Sequence, residues 1–183
     1  MIGWIILIVL IAIIAWFFGV YNSIIALRQN VRNGWSQIDV QLKRRYDLIP
    51  NLVETAKGYM VHEKETLEKV IKARQQAIDA SGMKNKQAAE NFLSSTLRSL
   101  FAVVENYPNL KADQHMMKIQ EELTSTENKI AFARQYYNDE VARFNTTIQT
   151  VPNNIVAGVC HFESQEFFEV DDTAQREAPQ VKF

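Results

Sequence analysis

Cysteine is nearly absent from this chain. A single one, Cys160, in 183 residues excludes an internal disulfide framework and any multi-cysteine zinc or iron–sulfur site. Glycine (6) and proline (4) are scarce as well, which argues against a turn-rich β-sandwich and against a disordered chain. The formal net charge is only −1, so no basic excess speaks for nucleic acid as a partner. The chain has three histidines, and Tyr59, Ala112 and Gly158 stand three residues before them. The paired Glu-x-x-His motifs of di-metal helical bundles are therefore missing. Gly34, Gly58 and Gly82 are isolated, with no phosphate-cradling loop or nucleophile elbow around them. Cys160 and His161 are adjacent, and neighbours in an extended stretch point to opposite sides, so they make no thiol–imidazole dyad. The expectation is a non-enzyme with no catalytic residues and no cofactor.

What is present is unevenly spread. Residues 2–20 contain no polar side chain; Gly3 and Gly19 alone depart from the apolar set. As a helix this run spans about 28 Å, close to the thickness of a bilayer's hydrocarbon core. Trp4 at one end and Trp16 with Tyr21 at the other suit the headgroup level. A cleaved signal peptide would need a basic start and small residues at its end, where this chain has Trp16-Phe17-Phe18. The anchor is accordingly read as residues 1–21, with Ile2, Trp4, Trp16, Val20 and Tyr21 marking it. No Lys or Arg precedes the run, whereas Arg28 and Arg32 follow it. That bias predicts a single-pass inner-membrane protein with its N-terminus outside and its bulk cytoplasmic. From Val151 onward six acids face two bases.

Beyond the anchor the apolar spacing is helical. Val20, Ile24, Leu27, Val31, Trp35, Ile38, Leu42, Tyr46 and Ile49 step by three and four along one face. Pro50 is expected to end that helix and to open a second one, carrying Val53, Ala56, Met60, Leu67, Ile71 and Ile78 and capped near Gly82. A third helix is predicted from about Asn85 to Tyr107, stopped by Pro108. A fourth is predicted from an Asp113 cap, carrying Met116, Ile119, Leu123, Ile130, Tyr137, Val141, Phe144 and Ile148. Short links between long amphipathic helices imply antiparallel neighbours. The predicted fold is all-α: a transmembrane helix continuing into a long-helix antiparallel four-helix bundle (residues 22–150), then an extended acidic tail (residues 151–183).

Several stretches resemble the LemA family: YNSIIALRQNVRNGWSQIDVQLKRRYDLIPNLVETAKGYMVHE at residues 21–63, ENYPNLKA at 105–112, LTSTENKIAFARQYYNDEVARFN at 123–145, and the terminal Pro-x-Val-Lys-Phe. The resemblance covers nearly the whole chain. It implies an N-terminal membrane anchor and an all-α bundle in bacteria, some relatives being linked to magnetosome membranes, and it brings no catalytic residues. Where such relatives end in glycine-phenylalanine before the acidic stretch, this chain reads Gly158-Val159-Cys160-His161-Phe162.

Polar gaps interrupt the stripes. Counted from the predicted distal turns, Glu63 and Glu127 fall at one depth, level with Gln37, and are read as a hydrogen-bonded polar core layer. With His62 they form a weaker metal candidate. Lys43-Arg44-Arg45 is read as a solvated face or as partners for Asp39 or Asp47, and Arg134 as a charge flanking the stripe. In the tail, Phe162, Phe167, Phe168, Val181 and Phe183 are too aromatic for pure disorder. They either pack back on their own bundle or dock on another subunit or protein, and docking is favoured. Apolar residues beyond the stripe, such as Ile25, Phe101 and Phe132, suit self-association. The functional expectation is a membrane-anchored scaffold or assembly protein whose partners are the lipid bilayer and its own copies, with another membrane protein as a further candidate. A regulatory adaptor for a membrane protease or sensor kinase is the alternative.

Overall fold

The computed structural model describes residues 1–169. It is all-helical: α1 (Ile2–Lys57), α2 (Lys64–Asp79), α3 (Met83–Val104), α4 (Pro108–Lys111), α5 (Gln114–Gln149) and α6 (Asn153–Val159), with no strand among the described residues. These residues fall into two compact units. One comprises Met1–Val40 with Lys129–Phe167; the other is built on Gln41–Asn128 and includes Phe168.

The expected break at Pro50 does not occur. Helix α1 runs uninterrupted from Ile2 to Lys57 with Pro50 inside it. An interior proline costs about 3 kcal/mol or more, because it removes an N–H and orphans the carbonyl four residues back. Here that carbonyl belongs to Tyr46, and the Nε–H of Arg74 on α2 donates to it at 2.7 Å. The proline itself is exposed. The apolar stripe also keeps its phase across it: Leu42, Tyr46, Ile49, Val53 and Ala56 are all buried, at steps of four, three, four and three. The chain leaves the helix at Gly58 instead. A tight turn bonds the Tyr59 and Met60 amides to the Ala56 carbonyl at 3.0 and 2.9 Å and tucks Met60 into the core.

The N-terminal part of α1 is long and apolar enough to cross a membrane, and among the described residues none of that stretch is buried. Further along, in the first unit, Ile24, Val31 and Ile38 of α1 are buried, as are Ile130, Tyr137, Val141, Phe144 and Ile148 of α5. Gly34 lets the two backbones close up, since a Cβ there would lie 3.1 Å from the Cα of Tyr137. The neighbouring Trp35 ring meets the Tyr137 ring edge-on, with centroids 5.6 Å apart.

In the second unit α2 buries Leu67, Val70, Ala73 and Ala77. Ile71 and Ile78, expected in the core, are each 39% exposed. The small alanines bring the α2 backbone close, with the Ala77 carbonyl 3.3 Å from the Tyr46 hydroxyl oxygen, which rotates the isoleucines outward. Gly82, at φ 78°, takes the left-handed turn and caps the start of α3 rather than the end of α2. Leu93, Leu97, Leu100 and Val104 supply the buried face of α3. Asp113 caps α5 as expected, its Oδ1 accepting the His115 and Met116 amides at 2.9 and 3.0 Å. Residues 151–169 are not wholly extended, because α6 interrupts them.

Replacing Arg74 by Met keeps an apolar stem but strands the Tyr46 carbonyl. The expected loss is about 1.5–3 kcal/mol of stability, with faster amide exchange confined to residues 49–57. Unchanged exchange there would show that Arg74 does not sustain the helix through Pro50.

Candidate functional site

The most unusual chemistry lies in the second unit, on the stripe itself. Arg45 is 1% exposed, so of the two expectations for the basic run, a solvated face or ion pairing, the solvated face does not hold for it. Its guanidinium bonds the carboxylate of Glu90 on α3, which is fully buried. It also reaches Glu127 on α5 at 2.6 Å and Ser94 at 3.0 Å. Glu90 accepts a second bond from the Tyr46 hydroxyl. The Lys86 ammonium lies 5.3 Å from the Tyr46 ring centroid and donates to the Ala77 carbonyl at 2.8 Å. A charge taken out of water survives only when neutralised and hydrogen-bonded, and Glu90 does this for Arg45. Arg44, the neighbour in sequence, is half-exposed and meets Glu122 at 3.7 Å. Among the described residues, Gln41 Oε1, Arg45 Nε and Thr126 Oγ1 are buried with no hydrogen-bond partner. Polar atoms left this way cost stability, so apolar packing alone does not explain the centre.

The expected polar layer of Gln37, Glu63 and Glu127 is therefore replaced. Gln37 is exposed, because positions 38 and 42 carry the buried face. Glu63 lies outside any helix at the cap of α2 and accepts from Tyr107 at 3.3 Å and Thr66 at 3.4 Å. Only Glu127 joins the buried network. His62 is exposed, and among the described residues no group of three or more His, Cys, Asp or Glu could hold a metal ion. Burial, and then the Glu63 carboxylate, raises the Tyr107 hydroxyl above its ordinary pKa. At the same end Tyr59 donates to Asp113 at 3.1 Å. That bond raises the tyrosine. The aspartate is lowered, chiefly by the Met116 amide.

In the first unit two further ionic groups are buried. Glu140 accepts from Asn30 at 3.3 Å and from Arg143 at 3.1 Å. Arg134, read as a flanking charge, is 8% exposed. The residues expected to mark an anchor all lie on α1. Ile2 and Trp4 are 76% and 72% exposed, Trp16 37%, and Val20 and Tyr21 are partly covered.

Part of the tail packs in cis, against the expectation of docking elsewhere. Helix α6 closes with the His161 amide on the Gly158 carbonyl at 3.3 Å and the Phe162 amide on the Ala157 carbonyl at 3.0 Å, the two bonds of a Schellman cap. His161 takes the left-handed position, at φ 53°, where glycine would avoid about 1 kcal/mol of strain. The cap aims Phe162 between Tyr21 and Phe144, centroids 5.9 and 6.5 Å away, with Arg28 5.5 Å from its ring. Asn145 then pairs with the backbone of Gln165 in both directions, at 2.8 and 2.9 Å. The Tyr137 hydroxyl donates to the Glu166 carbonyl at 2.9 Å; burial, then the Glu166 carboxylate, raises it. Phe167 is 44% exposed, and Phe168, in the second unit, is buried. Val181 and Phe183 lie outside the described residues.

The LemA family model matches residues 34–183, more than three-quarters of the chain and all of the buried centre. The chain belongs to the LemA family. It is similar to magnetosome protein MamQ 2 of Paramagnetospirillum magneticum, 22% identical over 81% of this chain and 64% of that protein. Magnetosome protein MamQ of Magnetospirillum gryphiswaldense matches to the same extent. Protein LemA of Metamycoplasma hominis is 26% identical over 84% of this chain and 74% of its own length. This LemA chain thus spans about two-thirds of the length of the magnetosome relatives. With the apolar start of α1, the family and these relatives point to membrane association.

Two measurements on the LemA chain check this geometry. Glu90→Gln, which leaves Arg45 charged and buried, should cost about 3–5 kcal/mol in chemical unfolding, whereas Glu127→Gln, at a half-exposed carboxylate, should cost about 1 kcal/mol or less. Equal losses would contradict the assignment of Glu90 as the neutralising partner. Asp113 has a folded-state pKa below its unfolded value, so its contribution is full above the unfolded value and is lost as pH falls through the lower folded one. The stability gap between wild type and Asp113→Asn should therefore be present at about pH 6 and shrink below about pH 4; a gap independent of pH would contradict the cap's ionic character.

Proposed function

We propose that this protein is a non-enzymatic, membrane-anchored helical scaffold of a bacterial inner membrane, which assembles through its helix faces and C-terminal tail. The observation that carries the reading is the continuity of α1. One helix runs from the apolar segment to Lys57, so the body is joined to the anchor by a stiff element with no linker between. On this reading residues 22–150 form an antiparallel four-helix bundle, and the chain crosses once with its N-terminus outside. The basic residues Arg28 and Arg32 directly after the apolar run support that orientation. The buried ionic centre is structural in this account. Arg45, Glu90 and Glu127 are committed to one another, and none is left to act on a substrate. The names of the MamQ relatives tie those proteins to the magnetosome, which accords with a scaffold at a membrane.

Self-association is the testable part. In the first unit Phe132 is 72% exposed, with Tyr136 one turn on at 38% and Val40 at 63%. Large apolar side chains of this kind anchor protein contacts, and Phe132 is proposed as the central one, with Val181 and Phe183 of the tail as a second contact. Sedimentation of the full-length protein in detergent should show species larger than a monomer. Phe132→Asp should weaken their association by at least about tenfold without altering helix content. A wild-type protein that stays monomeric at micromolar concentration would overturn the scaffold reading.

A further inference from the structure

We propose that α6, together with Val151, forms a lipid-facing foot that lies in the interfacial layer of the same bilayer that α1 crosses. The proposal rests on the reading of α1 as a spanning helix and adds a second point of membrane contact to it. Three observations carry it.

The first is the make-up of α6. Beyond Asn153 and Asn154 of its first turn, it is apolar on both sides. Val156 and Ala157 are buried against the protein, while Ile155 and Val159, one turn apart, are 58% and 64% exposed, and Val151 is 73% exposed. Gly158 lies on the same outward side as Ile155 and Val159, and a Cβ on it would meet nothing. After the two asparagines of its first turn, α6 is apolar toward both the protein and the outside; such a helix belongs between two apolar media, and the described residues supply only one of them. The second is charge. Residues 146–162 contain no Asp, Glu, Lys or Arg, in a chain where these make up 22% of the residues. Such a stretch loses little solvation on entering a headgroup region.

The third is position within the first unit. Phe162, fixed by the cap of α6, touches Tyr21, the residue that follows the apolar run. Phe17 and Val20, one turn and a residue earlier, are already partly covered, whereas residues 2–16 are all exposed. The end of α6 is thus held at the level where α1 leaves the hydrocarbon. Ile155, Val159 and Val151 meet lipid there. Interfacial helices elsewhere carry a basic polar face; α6 needs none, because α1 already confines it to the surface.

Nitroxide labels on the full-length protein in phosphatidylcholine–phosphatidylglycerol vesicles test this. Single cysteines are placed at Ile155, Val159, Leu10 and Gln135 in a Cys160→Ser background, and their collision with oxygen and with a water-soluble nickel chelate is measured. Gln135, exposed on α5 of the same unit, is the aqueous reference, and every labelled protein carries Phe132→Asp so that no second copy covers that face. The expected result is lipid-like behaviour at Leu10, and at Ile155 and Val159 nickel accessibility at least about fivefold below that of Gln135 with oxygen accessibility retained. Nickel accessibility at both α6 sites equal to that of Gln135, with Leu10 still in lipid, overturns the foot and leaves the spanning helix standing. Low accessibility to both reagents at 155 and 159 means that protein, a second copy included, covers them, and it overturns the foot equally. Water exposure at Leu10 overturns the spanning reading itself. As a second check, Ile155→Ser with Val159→Ser, which spares the buried face, should raise nickel accessibility at a label on Asn154 to the level of Gln135 while helix content stays the same. No rise in accessibility at Asn154 would contradict the role of these two side chains.

Discussion

A guanidinium has been placed where the helix stripe calls for a hydrocarbon, and the second unit is arranged around neutralising it. Burying the Arg45 guanidinium requires a carboxylate at the same depth on another helix. Glu90 meets that requirement and is itself steadied by Tyr46, the residue after Arg45. The backbone carbonyl of Tyr46 then receives Arg74, which lets α1 continue past Pro50. Two consecutive residues of α1 thereby fix α2, α3 and α5 through side chain and main chain. An apolar residue at position 45 would pack with less penalty, but it would not discriminate between helix registers as a paired charge does. Buried ionic groups serve that purpose in some proteins and not in others.

The first unit uses shape rather than charge. Gly34 admits the Tyr137 backbone, Trp35 and Tyr137 lock edge to face, and the Asn145 side chain captures the Gln165 backbone as a strand neighbour would. These contacts return the chain along α5 after α6 has turned it. Phe162 is the pivot, held by a cap in which histidine accepts a backbone conformation that glycine adopts freely. Its ring fills the space between Tyr21 and Phe144, so the region where the apolar segment ends is closed by the tail and not by α5 alone.

Much of the fold was legible in the sequence because helix periodicity is a direct readout of burial. Nearly every stripe residue of α1 and α5 is where its spacing puts it, and the Asp113 cap followed from one side chain. Pro50 misled because proline's local cost is certain, whereas its remedy, Arg74, lies 24 residues away and leaves no local mark. The phase of the stripe across Pro50 did carry the answer. Arg45 was missed because Arg45 and Tyr46 both fit the slot between Leu42 and Ile49, and the tyrosine is the more ordinary choice. The signal available was its complement, Glu90, three residues before Leu93 on the apolar face of α3. Ile71 and Ile78 went wrong because size was taken for depth, where the alanines of α2 allow the closer approach. Helix α6 is seven residues, all but Ala157 weak helix formers, made helical by packing and by its cap, and neither is visible in composition.

Membership of the LemA family, an apolar segment continuous with the body, and ionisable groups spent on one another are mutually consistent with a structural role at a membrane. The claim on which the helix arrangement rests is that Arg45 and Glu90 are energetically one unit. A double-mutant cycle between Arg45→Met and Glu90→Leu, read by chemical unfolding of the full-length protein, tests it directly. The account predicts that the double variant recovers much of what either single change loses, with a coupling of about 2–3 kcal/mol. Losses that simply add would contradict it.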